Sequence, residues 1–204
     1  MELYDSEEDQ VLAIKDWWRE NGKAVILGGV IGLGGLFGWR FYQDSVIEAK
    51  EAASDGYSQV IEKLATQGVA ASSQVESFIE SNKGTEYSVL AALQLAKSQV
   101  DAGELDEALA QLEWAKANTK DTAIGPIASF RIARIQAQNE QFDEALSTLN
   151  ALDSKAWTGR VAELKGDILL RKGDKDAAYS AYTEAQQADD ASQDIQFKLD
   201  DLAK

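Results

Sequence analysis

Residues 165–185 read KGDILLRKGDKDAAYSAYTEA, and their small and large side chains are spaced as two packed helices require. Gly166 stands where the first helix is crossed by a neighbour, and Gly173 stands at the turn, where a left-handed backbone costs glycine least. Ala178 lets the second helix lie close to the first, and Tyr182 supplies a large side chain between successive helix pairs. The stretch therefore predicts a helical hairpin with a close crossing.

Two earlier stretches can be laid over this hairpin. LAKSQVDAGELDEALAQLEWA starts at Leu95 and IARIQAQNEQFDEALSTLNAL at Ile132, so the three copies begin 37 and 33 residues apart. These intervals lie near the 34-residue period of tetratricopeptide repeats. The matched positions are Ala96, Gly103, Ala108, Leu112 and Ala115 in the first copy, and Ala133, Glu140, Ala145, Leu149 and Leu152 in the second. Glu140, at the turn, departs from the pattern, and we predict an all-α helical-hairpin solenoid over residues 43–204.

At the two ends of the solenoid the repeat pattern is weaker. Residues 46–65, VIEAKEAASDGYSQVIEKLA, and residues 72–84, SSQVESFIESNKG, read as a helix and its packing partner, together a degenerate first repeat. The stretch ASQDIQFKLDDLAK places Ile195, Leu199 and Leu202 on one helical face. Because a terminal repeat must cover its apolar side, this stretch is predicted to cap the stack.

Ahead of the solenoid, residues 23–42 read KAVILGGVIGLGGLFGWRFY, with no charge between Lys23 and Arg40. As a helix, residues 24–42 would extend about 28 Å, close to the thickness of a bilayer's hydrocarbon layer. Every face is apolar or glycine, whereas a soluble core helix usually has one polar face. The run is longer than a signal-peptide core and has no convincing cleavage site, and GLGG lacks the third glycine of a dinucleotide loop. We predict a single retained transmembrane helix.

Glycines follow two faces of this predicted membrane helix. Gly28, Gly32 and Gly35 lie along one side, and Gly34 and Gly38 form a second pair four residues apart. Because small residues let two helix backbones approach closely, these faces are predicted to contact another membrane helix. The simpler interpretation is that glycine is frequent in membrane helices in general.

Aromatic and basic residues flank the span, as they do at membrane interfaces. Residues 1–23 are predicted to form a tail with an amphipathic interfacial helix that ends at Asn21-Gly22. The predicted interfacial anchors are Lys15, Trp17, Trp18, Arg19, Lys23, Trp39 and Arg40. Bases near the span are slightly more numerous on the short side, which favours a cytoplasmic tail and a single-pass type II topology.

Composition excludes several classes of function. The chain has 35 acidic and 20 basic residues, a formal charge of −15, so nucleic acid is a poor partner. It has no cysteine and no histidine, which removes disulfides, thiolate metal sites and the commonest general base. Adjacent acids in ELDEA and QFDEA point about 100° apart on a helix and cannot share a site. We expect no enzyme activity, no metal and no cofactor.

A stack of helix pairs has a concave face lined by the first helix of each pair, and such faces bind other polypeptides. A partner or client groove is predicted there, although packing residues would give the same pattern. The inward positions on this register are Leu90, Leu93, Lys97, Ile127, Phe130, Arg134, Arg160, Glu163 and Asp167.

The order of these features resembles the YfgM family, the ancillary SecYEG translocon subunits of Gram-negative bacteria. The resemblance covers essentially the whole chain, and DQVLAIKDWWRENGK followed by a glycine-rich span ending in GWR is its most specific part. It implies a cytoplasmic N-terminus, a bacterial inner-membrane anchor and a periplasmic repeat domain. It also implies association with the SecYEG channel and with the chaperone PpiD, for the benefit of nascent or unfolded exported polypeptides.

Two functional hypotheses remain open on the residues alone. The chain is either an adaptor or chaperone beside the export channel, or a self-associating envelope scaffold that recruits partners unrelated to export. Binding of unfolded polypeptide favours the first, and stable self-association without such binding favours the second.

Overall fold

The computed structural model describes residues 7–202, which are helical except for short turns and contain no β-strand. The predicted all-α class is therefore confirmed. The α-helices are α1 (Glu7–Gln67), α2 (Ser72–Ser81), α3 (Glu86–Ala102), α4 (Leu105–Asn118), α5 (Ile124–Gln138), α6 (Phe142–Asn150), α7 (Thr158–Lys172), α8 (Lys175–Gln187) and α9 (Ile195–Leu202). Single 3-10 turns stand at Gly68–Ala71 and Lys155–Trp157. The chain divides into two units, one up to Ala52 and one from Ala53 onward.

The first unit consists of the N-terminal part of α1, and here one sequence-based expectation is wrong. The helix does not end at Asn21-Gly22 but continues through both residues. Asn21 Nδ2 donates back to the Trp17 carbonyl at 3.0 Å, which satisfies a backbone acceptor within the helix. Gly22 is buried beneath the Trp18 indole, whose ring atoms would lie 3.2 Å from a Cβ at position 22. The covering indole shields the backbone that a glycine would otherwise expose.

The second unit contains the three predicted hairpins, α3–α4, α5–α6 and α7–α8. The small residues of the matched positions are buried: Ala96 is 1% exposed, and Ala133, Ala108, Ala145 and Ala178 are 0% exposed. Leu112, Leu149 and Tyr182 each lie in a hydrophobic cluster with the small residues of their own hairpin. The positions that match between the three copies in the sequence are therefore the positions that form the hydrophobic core.

The three hairpin turns share one backbone geometry although one of them lacks glycine. Gly103 and Gly173 have φ of 82° and 92°, and Glu140, at the matched position, has φ of 62°. In each turn the next residue donates its N–H to a carbonyl five residues back, as Gln141 does to Gln136 at 2.9 Å. This is the Schellman ending of a helix, and for glutamate its left-handed backbone is strained by about 1–2 kcal/mol.

Replacing Glu140 by glycine is therefore expected to stabilise the protein. Relief of the left-handed strain exceeds the entropy that glycine gains in the unfolded chain, for a net gain of about 1 kcal/mol. For a chain of this size, that gain raises the unfolding temperature by about 2–4 °C, measurable by circular dichroism of the full-length protein in detergent. Glu140→Ala removes the same carboxylate but keeps a Cβ, so it should give no such gain. If both substitutions raised the unfolding temperature equally, the gain would come from loss of the negative charge of Glu140 and not from relief of backbone strain.

Helices pack against both ends of the repeat unit, and α9 stands where a capping helix was predicted. Near the start, Gly56 of α1 lies against α2, where a Cβ would come within 2.9 Å of the Phe78 ring. At the other end, α9 buries Ile195 and Leu199 in the cluster that contains Tyr182. Both ends of the stack thereby cover apolar surface that an unfinished repeat would expose.

Candidate polypeptide-binding groove

The repeat unit contains a groove of about 590 Å³ formed mainly by the first helices of the three hairpins, α3, α5 and α7. Its apolar side chains are Ala96, Val100, Leu112, Ile135, Ala137, Leu164 and Ile168. Its polar side chains are Lys97, Arg131, Arg134, Gln138, Asp167 and Arg171. A groove with an apolar floor and a few polar groups is the usual form of a peptide- or ligand-binding site.

Three of the four basic groups in the groove have no internal counter-charge. Within residues 9–202, Lys97, Arg131 and Arg134 form neither an ion pair nor a side-chain hydrogen bond, and all three are exposed. The fourth, Arg171, is held in place: its Nη1 donates to the Ala137 carbonyl at 2.6 Å, and its guanidinium lies 5.1 Å from the centre of the Phe142 ring. The groove thus presents three cations free to bind a ligand and one that is already oriented.

The single acid in the groove, Asp167, is already engaged. Its Oδ1 accepts a hydrogen bond from the Tyr182 hydroxyl at 2.8 Å and another from Lys198 Nζ of α9 at 2.6 Å. Lys198 also pairs with Glu163 at 2.8 Å. One lysine therefore holds two carboxylates of α7 and compensates part of their charge.

The same cluster shifts two pKa values upward. Burial is the main cause of the raised pKa of Tyr182, and the hydrogen bond and charge of Asp167 and the charge of Glu163 add to it. For Lys198, burial acts to lower the pKa, but the hydrogen bonds and charges of Asp167 and Glu163 outweigh it and raise the pKa above its usual value. The charged ammonium and the neutral phenol are therefore the forms that the fold stabilises.

The structure brings three of the nine predicted groove residues, Lys97, Arg134 and Asp167, to this groove. Sequence reasoning missed Arg131 and Arg171, which also line it. The row of Gln138 and Arg171 lies one turn beyond that of Arg134, so extending the inward positions by one turn finds it. The row of Arg131 lies one residue after that of Phe130, so finding it requires rotating the predicted inward face by one position.

The other predicted residues lie outside this groove. Leu93 is buried in the core, and Leu90 is 36% exposed on α3. Phe130 packs against Trp157, with ring centres 5.3 Å apart, and the Arg160 guanidinium lies 5.1 Å from the centre of the same indole. Ile127 is half-buried at the start of α5. The Glu163 side chain is 19% exposed and forms an ion pair with Lys198, so it links α7 to α9.

The predicted membrane contacts lie on a fully exposed part of α1. An 18-residue window of this helix has a mean hydropathy of 1.6 and no buried residue, which makes it a candidate membrane span. No atom outside the local helix backbone comes within 4 Å of a Cβ built at any of the predicted contact glycines, which are Gly28, Gly32, Gly34, Gly35 and Gly38. The glycine faces are open and available to a neighbouring helix.

The predicted interfacial side chains are also exposed. Trp17, Trp18 and Trp39 present large aromatic surfaces. Arg19 pairs with Asp16 at 3.1 Å, and both side chains are exposed. Lys15, Lys23 and Arg40 are exposed as well. Among the described residues, no group of three or more acidic side chains is placed to hold a metal ion.

These features define a class: a tetratricopeptide-like helical-hairpin protein with an apolar N-terminal helix that is a candidate membrane span. The family model of the tetratricopeptide repeat-like domain matches residues 15–204. A relative from Escherichia coli (strain K12) named ancillary SecYEG translocon subunit is 37% identical over 206 residues, covering 100% of both chains. One of the same name from Haemophilus influenzae is 36% identical, covering 89% of each. The chain belongs to the family of ancillary SecYEG translocon subunits.

Solved structures show the same fold at much lower sequence identity. A MamA RS-1 double mutant superposes with a TM-score of 0.59, at 15% identity, over 74% of this chain and 82% of that one. A second structure, MamA from residue 41 to the end from Desulfovibrio magneticus RS-1, superposes with a TM-score of 0.58, also at 15% identity, over 74% of this chain and 83% of that one. At this identity the likeness concerns the fold alone.

Proposed function

We propose that the protein is an accessory subunit of the SecYEG protein-export channel in the bacterial inner membrane. Residues 24–42 cross the membrane, residues 1–23 lie in the cytoplasm, and the repeat unit from residue 43 lies in the periplasm. There it works as an adaptor and chaperone: its groove holds segments of emerging secretory and outer-membrane proteins and docks the chaperone PpiD. The role is binding rather than catalysis.

The observation that carries this proposal is the open groove of about 590 Å³ on the first helices of the stack. It combines an apolar floor with cations that have no partner in the described part of the chain, and it is large enough for several side chains of a bound segment. Two relatives from other bacteria carry the name of a translocon subunit over most or all of their length. The groove supplies a physical means by which such a subunit would touch an exported chain.

The membrane helix supplies the second contact in this proposal. In lipid, helices associate through close packing, and the open glycine faces permit a backbone approach that larger side chains would block. We place a helix of the export channel against Gly28, Gly32 and Gly35. Trp17, Trp18 and Trp39 then lie at headgroup depth, and the bases beside them face the anionic lipid surface.

Site-specific photocrosslinking in living cells tests both contacts. A photoreactive residue at Ile31 is expected to crosslink to a subunit of the export channel, and one at Gln138 to exported polypeptide or PpiD. Glu113 is exposed outside the groove and serves as the matched control. Gly32→Leu should weaken the Ile31 crosslink several-fold, because leucine blocks the close approach of helices.

The scaffold hypothesis predicts a different pattern. If Ile31 and Gln138 crosslink only to further copies of this chain, the protein is a self-associating scaffold and the translocon role is wrong. If Gln138 and Glu113 give the same products in equal yield, the groove has no special part in binding.

A further inference from the structure

We propose that the groove selects segments in which acidic residues alternate with apolar ones, and that it does so through Lys97, Arg131 and Arg134. This inference rests on the proposed function, in which the groove holds polypeptide, and adds the chemical class of the segment. The occupant is a partner polypeptide, an acidic and apolar stretch bound in extended form.

The charge of the groove is opposite to that of the chain. The whole sequence carries 35 acids and 20 bases, yet the groove has four basic side chains and one acid. Because that acid, Asp167, is bound to Lys198, its field is partly cancelled where a ligand would lie. A cationic cleft on an acidic protein concentrates field lines and attracts anionic groups locally while the remaining surface repels them.

Three cations with no counter-charge among residues 9–202 are the most direct sign of an anionic group supplied by a ligand. Exposed lysines and arginines are common, but here three of them border a continuous apolar floor. A carboxylate that enters a cleft with an apolar floor meets a lower local dielectric than at an open surface, so its pairing with a guanidinium is stronger. Apolar side chains of the same segment would at the same time cover the floor, at Val100, Ile135 and Ile168.

The repeat register sets a spacing for the acids. Lys97 and Arg134 occupy matching positions on successive first helices, and both line the groove. In an extended peptide successive side chains point to opposite faces, so residues two apart, about 6.6 Å along the chain, point the same way. Two acids two residues apart can therefore face this pair of cations together, and the apolar residues that alternate with them point the other way. At the third matching position stands Asp167, which disfavours a further acid there.

An anionic bilayer surface is the competing ligand, and the charge distribution argues against it. The chain has a net charge of −15, so its surface as a whole is repelled by a layer of phosphates. A single segment can enter the groove without bringing the remaining acidic surface close to other negative charges.

Fluorescence anisotropy with the full-length protein in detergent tests this selection. The probes are three labelled 12-residue peptides with the same apolar residues, in which the alternate positions are glutamate, glutamine or lysine. We expect the glutamate peptide to bind at least 10-fold more tightly than the glutamine peptide. Raising the salt from 50 to 500 mM should remove most of that difference.

Charge reversal in the groove assigns the effect to these residues. The double variant Lys97→Glu/Arg134→Glu should lose at least 30-fold in affinity for the glutamate peptide and gain affinity for the lysine peptide. The double variant Lys63→Glu/Lys116→Glu, an equal change of charge at exposed positions outside the groove, should leave both affinities nearly unchanged. Circular dichroism checks that the variants keep the wild-type helix content.

The possible failures can be told apart. If all three peptides bind alike and charge reversal changes nothing, the selection is wrong while the polypeptide-binding function stands. If none of the peptides binds, both are wrong. If the peptides do not bind but vesicles containing phosphatidylglycerol do, and charge reversal abolishes that binding, the groove is a lipid site and the inference is overturned.

Discussion

Gly166→Ala is expected to lower the free energy of unfolding by about 3 kcal/mol, at the upper end of the usual effect of overpacking. A Cβ at position 166 would lie 2.4 Å from two ring atoms of Tyr182, far inside van der Waals contact. The ring cannot easily yield, because Tyr182 is 1% exposed and its hydroxyl is hydrogen-bonded to Asp167. One methyl group therefore forces apart the two helices of the last hairpin.

The other hairpins show how the strain can be relieved. Where α7 and α8 combine Gly166 with Tyr182, the matching residues of α5 and α6 are Ala133 and Leu149. The double variant Gly166→Ala/Tyr182→Leu installs that combination. It should be at least about 2 kcal/mol more stable than the sum of the two single effects predicts, since residues in contact couple by about 0.5–3 kcal/mol.

Thermal and urea unfolding of the full-length protein in detergent, followed by circular dichroism, measures all three variants. Tyr182→Leu alone should also destabilise, because it leaves a cavity beside Gly166 and removes a hydrogen bond to Asp167. Additive effects in the double variant, or a Gly166→Ala protein as stable as the wild type, would show that the last hairpin opens to admit the methyl group.

The repeat register could be predicted from the sequence because each hairpin repeats the same local packing problem. Small residues at Ala96, Ala133 and Gly166 have to lie where helices cross, and that requirement leaves a periodic trace. The sequence shows that Gly166 and Tyr182 depart together from the alanine and leucine of the other copies, which indicates that their sizes compensate each other. Only the structure shows that the ring lies against the glycine Cα.

Features that depend on contacts distant in the chain could not be predicted in the same way. Lys198 is 31 residues from Asp167, and no periodicity joins them. The turn at Glu140 keeps the geometry of a glycine turn because the packing of α5 on α6 imposes it, overriding local preference. The helix break expected at Asn21-Gly22 is absent for a local reason instead, because the indole of Trp18, one turn earlier, covers the glycine.

Lys198→Met is expected to destabilise the repeat unit by about 1–2 kcal/mol and to loosen α9. The lysine bridges α9 to α7, and without it Glu163 and Asp167 would lose the cation that pairs with both of them. Removing one partner from a buried ion pair costs about 3–5 kcal/mol. The expected value is lower here because Lys198 is 31% exposed and Asp167 40% exposed, so solvent screens part of the effect.

Lys172→Met is the matched control, since it makes the same change at a lysine that pairs with Asp143 on the open surface. The loss there should be below about 1 kcal/mol. Limited proteolysis should cut the Lys198→Met protein faster between α8 and α9, and leave the control protein at the wild-type rate. Equal loss of stability in the two variants would mean that the bridge to α7 adds nothing beyond an ordinary surface pair.

The pH dependence gives an independent measure of the same cluster. Lys198 and Tyr182 both have pKa values raised above their ordinary values of 10.5 and 10.0. A raised pKa contributes stability that is fully present below the unfolded value and is lost as the pH rises through the folded value. The wild type should therefore lose stability above about pH 10. In Lys198→Met the lysine's share of that loss is absent, so its unfolding temperature should fall less steeply over the same range than that of Lys172→Met. Parallel curves for the two variants would place the alkaline transition elsewhere in the chain.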